Sequence, residues 1–451
     1  MKRRLAAAGL AAVLAGGGLL VCGAAGQGLP PDPPSEALER RQVETKLAQF
    51  QQQHQTHQDP LKALAQEHQR RMKESRERRA ARRKAREEAR RKSLAAWAAK
   101  RQATIIHLGA GVSANLGNTV SDVTRLTSSG LPVLHEGREL AAALGVTLGK
   151  LRWLTFHRKG ATVVHYHRYD VPKKSGGTRH ISAPKPDLKQ AQAWVWRDIL
   201  EKVELHPQAH GFRPRHSIVS NAVPHVGRKV VANLDLKDFF PSITFPRVQG
   251  LFRSFGYSPQ VSTILALLCT EPPRAVASIR GRRYYVAVDE RALPQGACTS
   301  PAITNILCRA LDRRLQALAA KLGFAYTRYA DDLTFSGDDP AAIGSLLGRV
   351  RQIIVDEGFE ENAAKGRVMR RSRHQEVTGV TVNQRPKLSR KELRILRAIL
   401  HNAAKHGLES QNRTGHPNFA AYLKGRVGLA CMIDPDRAPA WNAALAKALG
   451  P

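Results

Sequence analysis

Two carboxylates stand side by side at Asp331-Asp332, inside the run Phe324-Ala-Tyr-Thr-Arg-Tyr-Ala-Asp-Asp-Leu-Thr-Phe-Ser-Gly337. Apolar and aromatic residues lead into the pair and out of it, to Gly337 and the turn-forming Asp338-Asp339-Pro340. The stretch reads as a β-hairpin with its acids at the bend. Like charges this close repel and raise each other's pKa unless a cation lies between them. An all-oxygen site suits Mg²⁺, which keeps several waters and takes one or two protein carboxylates together with substrate phosphates. Most adjacent aspartates are solvated turns, so the pair alone does not decide between a metal site and a loop.

A third carboxylate shifts the balance. The run Lys229-Val-Val-Ala-Asn-Leu-Asp235 is apolar and β-branched, the pattern of a buried strand with Asp235 at or near its C-terminal end. A lone buried carboxylate is costly unless it is paired or bound to metal. Asp235, Asp331 and Asp332 are therefore the candidate catalytic residues and metal ligands. Three carboxylates on two adjacent strands suit an in-line nucleotidyl transfer, in which two divalent ions activate a hydroxyl and steady a departing pyrophosphate.

Such a reaction also needs cations and shape around it. Tyr166 to Ile181 reads as an aromatic hairpin with a glycine turn, Gly176-Gly177, and Lys173, Lys174 and Arg179 near its tip, suited to closing over a triphosphate. His210-Gly211-Phe212-Arg213-Pro-Arg215 is a basic loop that opens a helix beginning near Asn221. Phe239 reads as core, whereas Phe240 could place a ring where a ribonucleotide 2′-OH would project. Leu293-Pro-Gln295-Gly296 makes a tight turn into a long helix, Ala302 to Ala320, at which backbone can approach a ligand closely. Lys365 is a candidate proton donor to the leaving group. Gly109-Ala-Gly111-Val-Ser-Ala114 and Gly145 to Lys150 imitate nucleotide-binding loops but lack the flanking pattern, and read as local turns.

The whole chain has 451 residues and a formal net charge of +35, which points to a polyanionic partner. Its five cysteines form neither a disulfide framework nor a zinc-ligand spacing, which suits a reducing compartment. Residues 1–60 form a signal-like and low-complexity segment, expected to be disordered, and residues 61–100 a basic helical arm suited to phosphates. The apolar opening resembles a secretory signal. A nucleotide-using enzyme finds its triphosphates in the cytoplasm, so a cytoplasmic location with no membrane partner is expected.

In their order, the basic hairpin, His210-Gly211-Phe212, Asp235 with Phe239-Phe240, Leu293-Pro294-Gln295-Gly296 and Tyr329-Ala330-Asp331-Asp332 resemble the reverse transcriptases over roughly residues 160–430. Asn221-Ala222-Val-Pro-His225 and Val377-Thr378-Gly379 resemble the NAxxH and VTG motifs of the bacterial retron type. The resemblance implies an α+β right-hand polymerase: an N-terminal helical packing segment (101–159), fingers and palm of antiparallel sheet and helices (160–383), and a helical, RNA-binding thumb (384–451). It implies two Mg²⁺ ions, with Mn²⁺ as a substitute, on Asp235, Asp331 and Asp332. Lys173, Arg179, Phe240, Gln295 and Lys365 would meet the nucleotide, and Arg213, Arg215, Asn221, His225, Val377, Thr378 and Gly379 the RNA template. The implied activity is copying part of a cognate structured non-coding RNA into single-stranded DNA from dNTPs. Synthesis would begin on an internal guanosine 2′-OH, giving a 2′,5′-branched RNA–DNA product (msDNA). An effector protein and antiphage defence complete the implied setting. A group II intron-like or other reverse transcriptase primed from a 3′-OH, and a non-catalytic basic RNA-binding protein, are the competing readings.

Overall fold

A computed structural model describes residues 41–49, 60–173, 176–413 and 415–450. The signal-like opening, and Lys174 at the hairpin tip, lie outside the described residues. The chain divides into two compact units, residues 1–94 and 95–451. In the first, residues 41–49 are helical although the segment was expected to lack structure. Their Arg, Gln, Glu, Lys, Leu and Ala are good helix formers, which local composition rewards even without a core. The basic helix runs over Pro60–Ala103 and is exposed along nearly all its described length. Glu67 accepts from Arg70 and Arg71 at 3.0 Å each, so surface ion pairs replace an apolar face.

The second unit is built on a four-stranded antiparallel sheet in the order Phe324–Tyr329, Asp332–Gly337, Val230–Asp235, Arg367–Arg370. The strand Val230–Asp235 is apolar without alternation because both its faces are covered. Val230, Ala232 and Leu234 belong to the large core, packed with helices such as Phe245–Ser254, Pro259–Cys269 and Arg309–Lys321. Val231 belongs to a second core with Val377, Val380 and the helices Arg390–His406, Phe419–Ile433 and Ala438–Leu449. Helices on both sides of antiparallel strands make the fold α+β. The helix expected over Ala302 to Ala320 is two, Ser300–Leu307 and Arg309–Lys321.

Two further hairpins complete the unit. Tyr166–Pro172 pairs with Thr178–Pro184, and Arg274–Ile279 pairs with Arg282–Ala287, which also pairs with Gly160–Ala161. Ahead of them the short helices Val123–Ser128, Gly137–Ala143 and Leu148–Thr155 join the large core. Gln260 fixes this segment by accepting from Gly137 N at 2.7 Å and donating to Leu116 O at 2.7 Å. The glycines at 109 and 111 have φ of +120° and +80° and form a turn, closed by Ser113 Oγ donating to Gly109 O.

Candidate active site

Antiparallel register brings the three aspartates together. Asp235 lies directly opposite Asp332, and Tyr329 opposite Asp332 closes the hairpin through a two-residue bend, Ala330-Asp331. Leu236 N donates to Asp331 O at 3.0 Å, tying the bend to the neighbouring strand. Ala330 has φ of +58°, the left-handed value that a mirror-image hairpin turn needs at its first position. Glycine is the usual occupant; alanine there costs about 1 kcal/mol, so the bend must be held from outside.

A buried polar network holds it. Arg328, 0% exposed, donates through Nε and Nη2 to both carboxylate oxygens of Asp312 at 2.7 Å. Its Nη1 reaches Asn305 Oδ1 at 2.9 Å and Ala330 O at 3.1 Å, and Tyr326 OH donates to Asp312 at 2.8 Å. Asn305 in turn donates to Gly211 O at 2.8 Å, and His210 N donates to Arg328 O. This clamp escaped the sequence reading. Its signal was an arginine inside an apolar strand, which requires a buried acid, but nothing local selects Asp312 from 37 acidic residues.

The carboxylates feel one another. Burial first, then Asp331 and Asp235, push Asp332 up to about 6. Asp331 is also raised, by burial and by Asp235, while the charges of Lys365 and Arg179 act against the rise. Asp235 is 7% exposed and accepts from Lys365 Nζ at 2.9 and 3.0 Å and from Asn362 Nδ2 at 3.1 Å. The contact raises the Lys365 ammonium above its ordinary range. Lys365, the expected proton donor to the leaving group, thus stands on Asp235 within the site. No three His, Cys, Asp or Glu side chains among the described residues converge as a metal cluster. The donor chemistry nonetheless fits a hard divalent cation: three carboxylates, two of them raised in pKa by burial and by one another's charge, and an ammonium standing on the third.

The remaining predicted residues divide by burial. Gln295 O accepts from Ser182 N at 2.7 Å, and Gly296 (φ +114°) sits where a Cβ would come within 2.9 Å of Ile181 Cγ2. The glycine turn therefore docks on the strand that carries Arg179, and Arg179 and Lys173 are exposed on that hairpin. The Phe240 ring is half-buried, 5.7 Å from Phe239 and 6.2 Å from Phe212. Arg215 is exposed, whereas Arg213 is half-buried and donates to His206 O at 3.2 Å.

Asn221, His225 and Val377 are each 0% exposed, which corrects the expectation that their side chains meet a template. His225 joins two strands through Ser336 Oγ at 2.7 Å and Thr327 Oγ1 at 2.8 Å, and burial pushes its pKa down to about 3, so the ring is neutral. Asn221 Nδ2 reaches Thr378 Oγ1 at 3.5 Å, and Thr378 Oγ1 donates to Ile218 O at 3.2 Å. Thr378 and Gly379, at φ of +46° and +82°, form the two-residue bend of a hairpin whose strands pair Val377 with Val380. The two motifs are halves of one interlock beneath the catalytic sheet. Gly379 is exposed and Thr378 half-buried, so only this bend faces outward.

A profile of the family described as reverse transcriptase (RNA-dependent DNA polymerase) matches residues 171–382. The retron Mx162 reverse transcriptase of Myxococcus xanthus is 42% identical over 383 residues, spanning 79% of this chain and 76% of that protein. The retron Mx65 reverse transcriptase of the same organism is 46% identical, spanning 72% of this chain and 74% of that one. The retron Ec86 reverse transcriptase of Escherichia coli is 34% identical, spanning 62% and 81%.

Proposed function

The chain belongs to the retron reverse transcriptases, RNA-directed DNA polymerases of right-hand fold, and on that premise we propose that it makes branched msDNA. It copies part of a cognate structured non-coding RNA into single-stranded DNA, starting from the 2′-OH of an internal guanosine. The observation that carries the catalytic part of this reading is the register that sets Asp235 opposite Asp332 at one end of the sheet. The retron part is supported by the contact between Asn221 and Thr378, which joins the two motifs of that type.

Reverse transcription depends on divalent metal, and Asp235, Asp331 and Asp332 are the residues that would hold it, as Mg²⁺ with Mn²⁺ able to replace it. Bound there, the ions supply Lewis-acid neutralisation of charge on the phosphorus, the attacking hydroxyl and the departing pyrophosphate. The protein's own part is positioning. Lys173 and Arg179 bring exposed positive charge to the triphosphate on a hairpin docked against Gln295. Phe240, braced by Phe239 and Phe212, fills the space a ribose 2′-OH would need, which selects deoxynucleotides. Arg215 and the Thr378-Gly379 bend are the outward-facing candidates for template contact. The division into fingers and palm (160–383) and thumb (384–451), a cytoplasmic site of action and a partner effector protein in antiphage defence belong to the same proposal. No helix among the described residues is long and apolar enough to cross a membrane.

The test combines purified protein with its RNA, Mg²⁺ and dNTPs. DNA whose 5′ end stays joined to RNA until a 2′,5′-debranching enzyme frees it is the expected product. DNA unaffected by that enzyme indicates 3′-OH priming and overturns the branched product. Asp331→Asn should abolish synthesis while RNA binding survives; equal synthesis by this variant would remove the metal assignment.

A further inference from the structure

Away from the aspartates, the turn after the strand Arg367–Arg370 meets the start of the helix Arg390–His406. A cleft of about 560 Å³ lies there, lined by Arg371, Arg373, His374, Thr381, Lys387 and Arg390 among others, and by no acidic side chain. The ion pairs of this neighbourhood are His374–Glu376, Arg385–Asp434 and Arg426–Glu392. Arg371, Arg373, Lys387 and Arg390 form no ion pair with any described residue.

Four cations around one cleft repel, and they would drift apart unless the backbone beneath them were pinned. It is pinned. Asn383 Nδ2 donates to Arg371 O at 3.3 Å and to Arg373 O at 2.7 Å, while its Oδ1 accepts from Gln375 N at 3.0 Å. Arg371 N donates to Lys229 O, and Thr381 N donates to Lys387 O, so both walls are tied to the sheet region. Thr381, 4% exposed, carries a buried hydroxyl with no hydrogen-bond partner among the described residues. The helix start adds little, because Glu392 there accepts from Ser389 Oγ and pairs with Arg426. The cations carry the site. Guanidinium forks match the two free oxygens of a phosphodiester, and with the backbone beneath them pinned only their side chains are left to order on binding.

We propose that this cleft is a phosphodiester-binding site that grips the backbone of structured RNA. Only the choice of RNA as the strand rests on the reading given under Proposed function. The site explains why the Val377-Thr378-Gly379 hairpin is built so firmly: its second strand, Val380–Thr381, and the following Asn383 form the cleft wall and its pin. An anionic membrane is a poorer match, since the lining is concave and offers no large apolar side chain to insert.

The test is equilibrium binding of a labelled RNA hairpin to the full chain in EDTA without dNTPs, across a range of KCl concentrations. Arg371→Gln/Arg373→Gln should weaken binding by about 10-fold at physiological salt and lower the slope of log K against log salt by about 1–2. An unchanged slope and affinity overturn the site. Arg313→Gln/Arg349→Gln removes equal charge from exposed positions elsewhere; equal weakening by this variant would mean net charge alone acts, and also overturns it. Matched melting temperatures of the two variants exclude misfolding as the cause. A DNA hairpin of the same sequence shows whether the product strand uses the cleft too, and a loss confined to DNA is a third contrary result. No catalysis occurs in this measurement, so an inactive polymerase leaves its outcome readable.

Discussion

Gly211 is pressed against the catalytic bend so closely that a Cβ on it would come within 2.5 Å of Ala330 N. Its carbonyl is held by Asn305, which is held by Arg328, which also holds Ala330 O and Asp312. The bend carrying Asp331 is therefore wedged between a glycine backbone on one side and a buried ion pair on the other. Neither touches substrate, yet together they set where the carboxylates point.

Gly211→Ala tests the wedge. The backbone at 211 has no left-handed φ, so the added methyl acts only by contact with Ala330 and Tyr329. Primer extension at saturating dNTP should fall by about 100-fold with the fold retained, since displacing reacting groups by an ångström costs on that order. Extension at the native rate would show that the bend is placed by something else.

Arg328→Met tests the buried pair. It strands the Asp312 carboxylate at 0% exposure and should lower unfolding stability by about 3–5 kcal/mol in urea titrations. Arg328→Met/Asp312→Leu should regain most of that stability, because an apolar pair of similar volume suits the site. DNA synthesis should not return with it, because Ala330 O and Asn305 still lack their donor. Full activity in the double variant would reduce the arginine to a stability role.

Asp332→Asn separates stability from catalysis. The folded pKa of Asp332, about 6, exceeds the ordinary carboxylate value, so its ionised form is disfavoured in the fold. The stability this group permits is complete below about pH 4 and is lost as pH rises through 6. At pH 7.5 in EDTA the variant should be more stable by about 1–2 kcal/mol, after discounting for solvent, and inactive. Added Mg²⁺ should raise the melting temperature of the native protein more than that of the variant. A less stable variant in EDTA would contradict the raised pKa.

His225→Gln probes acid sensitivity. The folded pKa of about 3 lies below the ordinary 6.5, so the unfolded chain takes up this proton first. Stability is full above pH 6.5 and falls as pH drops towards 3, by about 2 kcal/mol between pH 7 and pH 5 from this ring alone. His157 and His210, each lowered to about 4, act in the same direction in both proteins. The variant should start less stable, having lost bonds to Ser336 and Thr327, but lose about 2 kcal/mol less over that interval. Parallel pH profiles would mean the ring is not held neutral.

What the sequence determined by itself was the pieces whose signals are local. β-Branched runs and turn residues marked the strand ending in Asp235 and the hairpin bending at Asp331, and antiparallel pairing of those two strands suffices to oppose Asp235 and Asp332. Tertiary structure alone decided the partners. His225 and Asn221 stand among Ile218, Val219, Ala222 and Val226, where nothing local says whether their polar side chains turn inward, and they are buried because the second core closes over that face of the sheet. Lys365 reaches Asp235 at 2.9 Å across 130 residues of chain, a contact that no local signal announces. Arg328 found Asp312, and Arg371 and Arg373 found Lys387 and Arg390 across a cleft, through contacts between segments that no local pattern relates. Local periodicity marks strands, helices and turns; only packing over long chain distances states which polar groups are buried and what meets them.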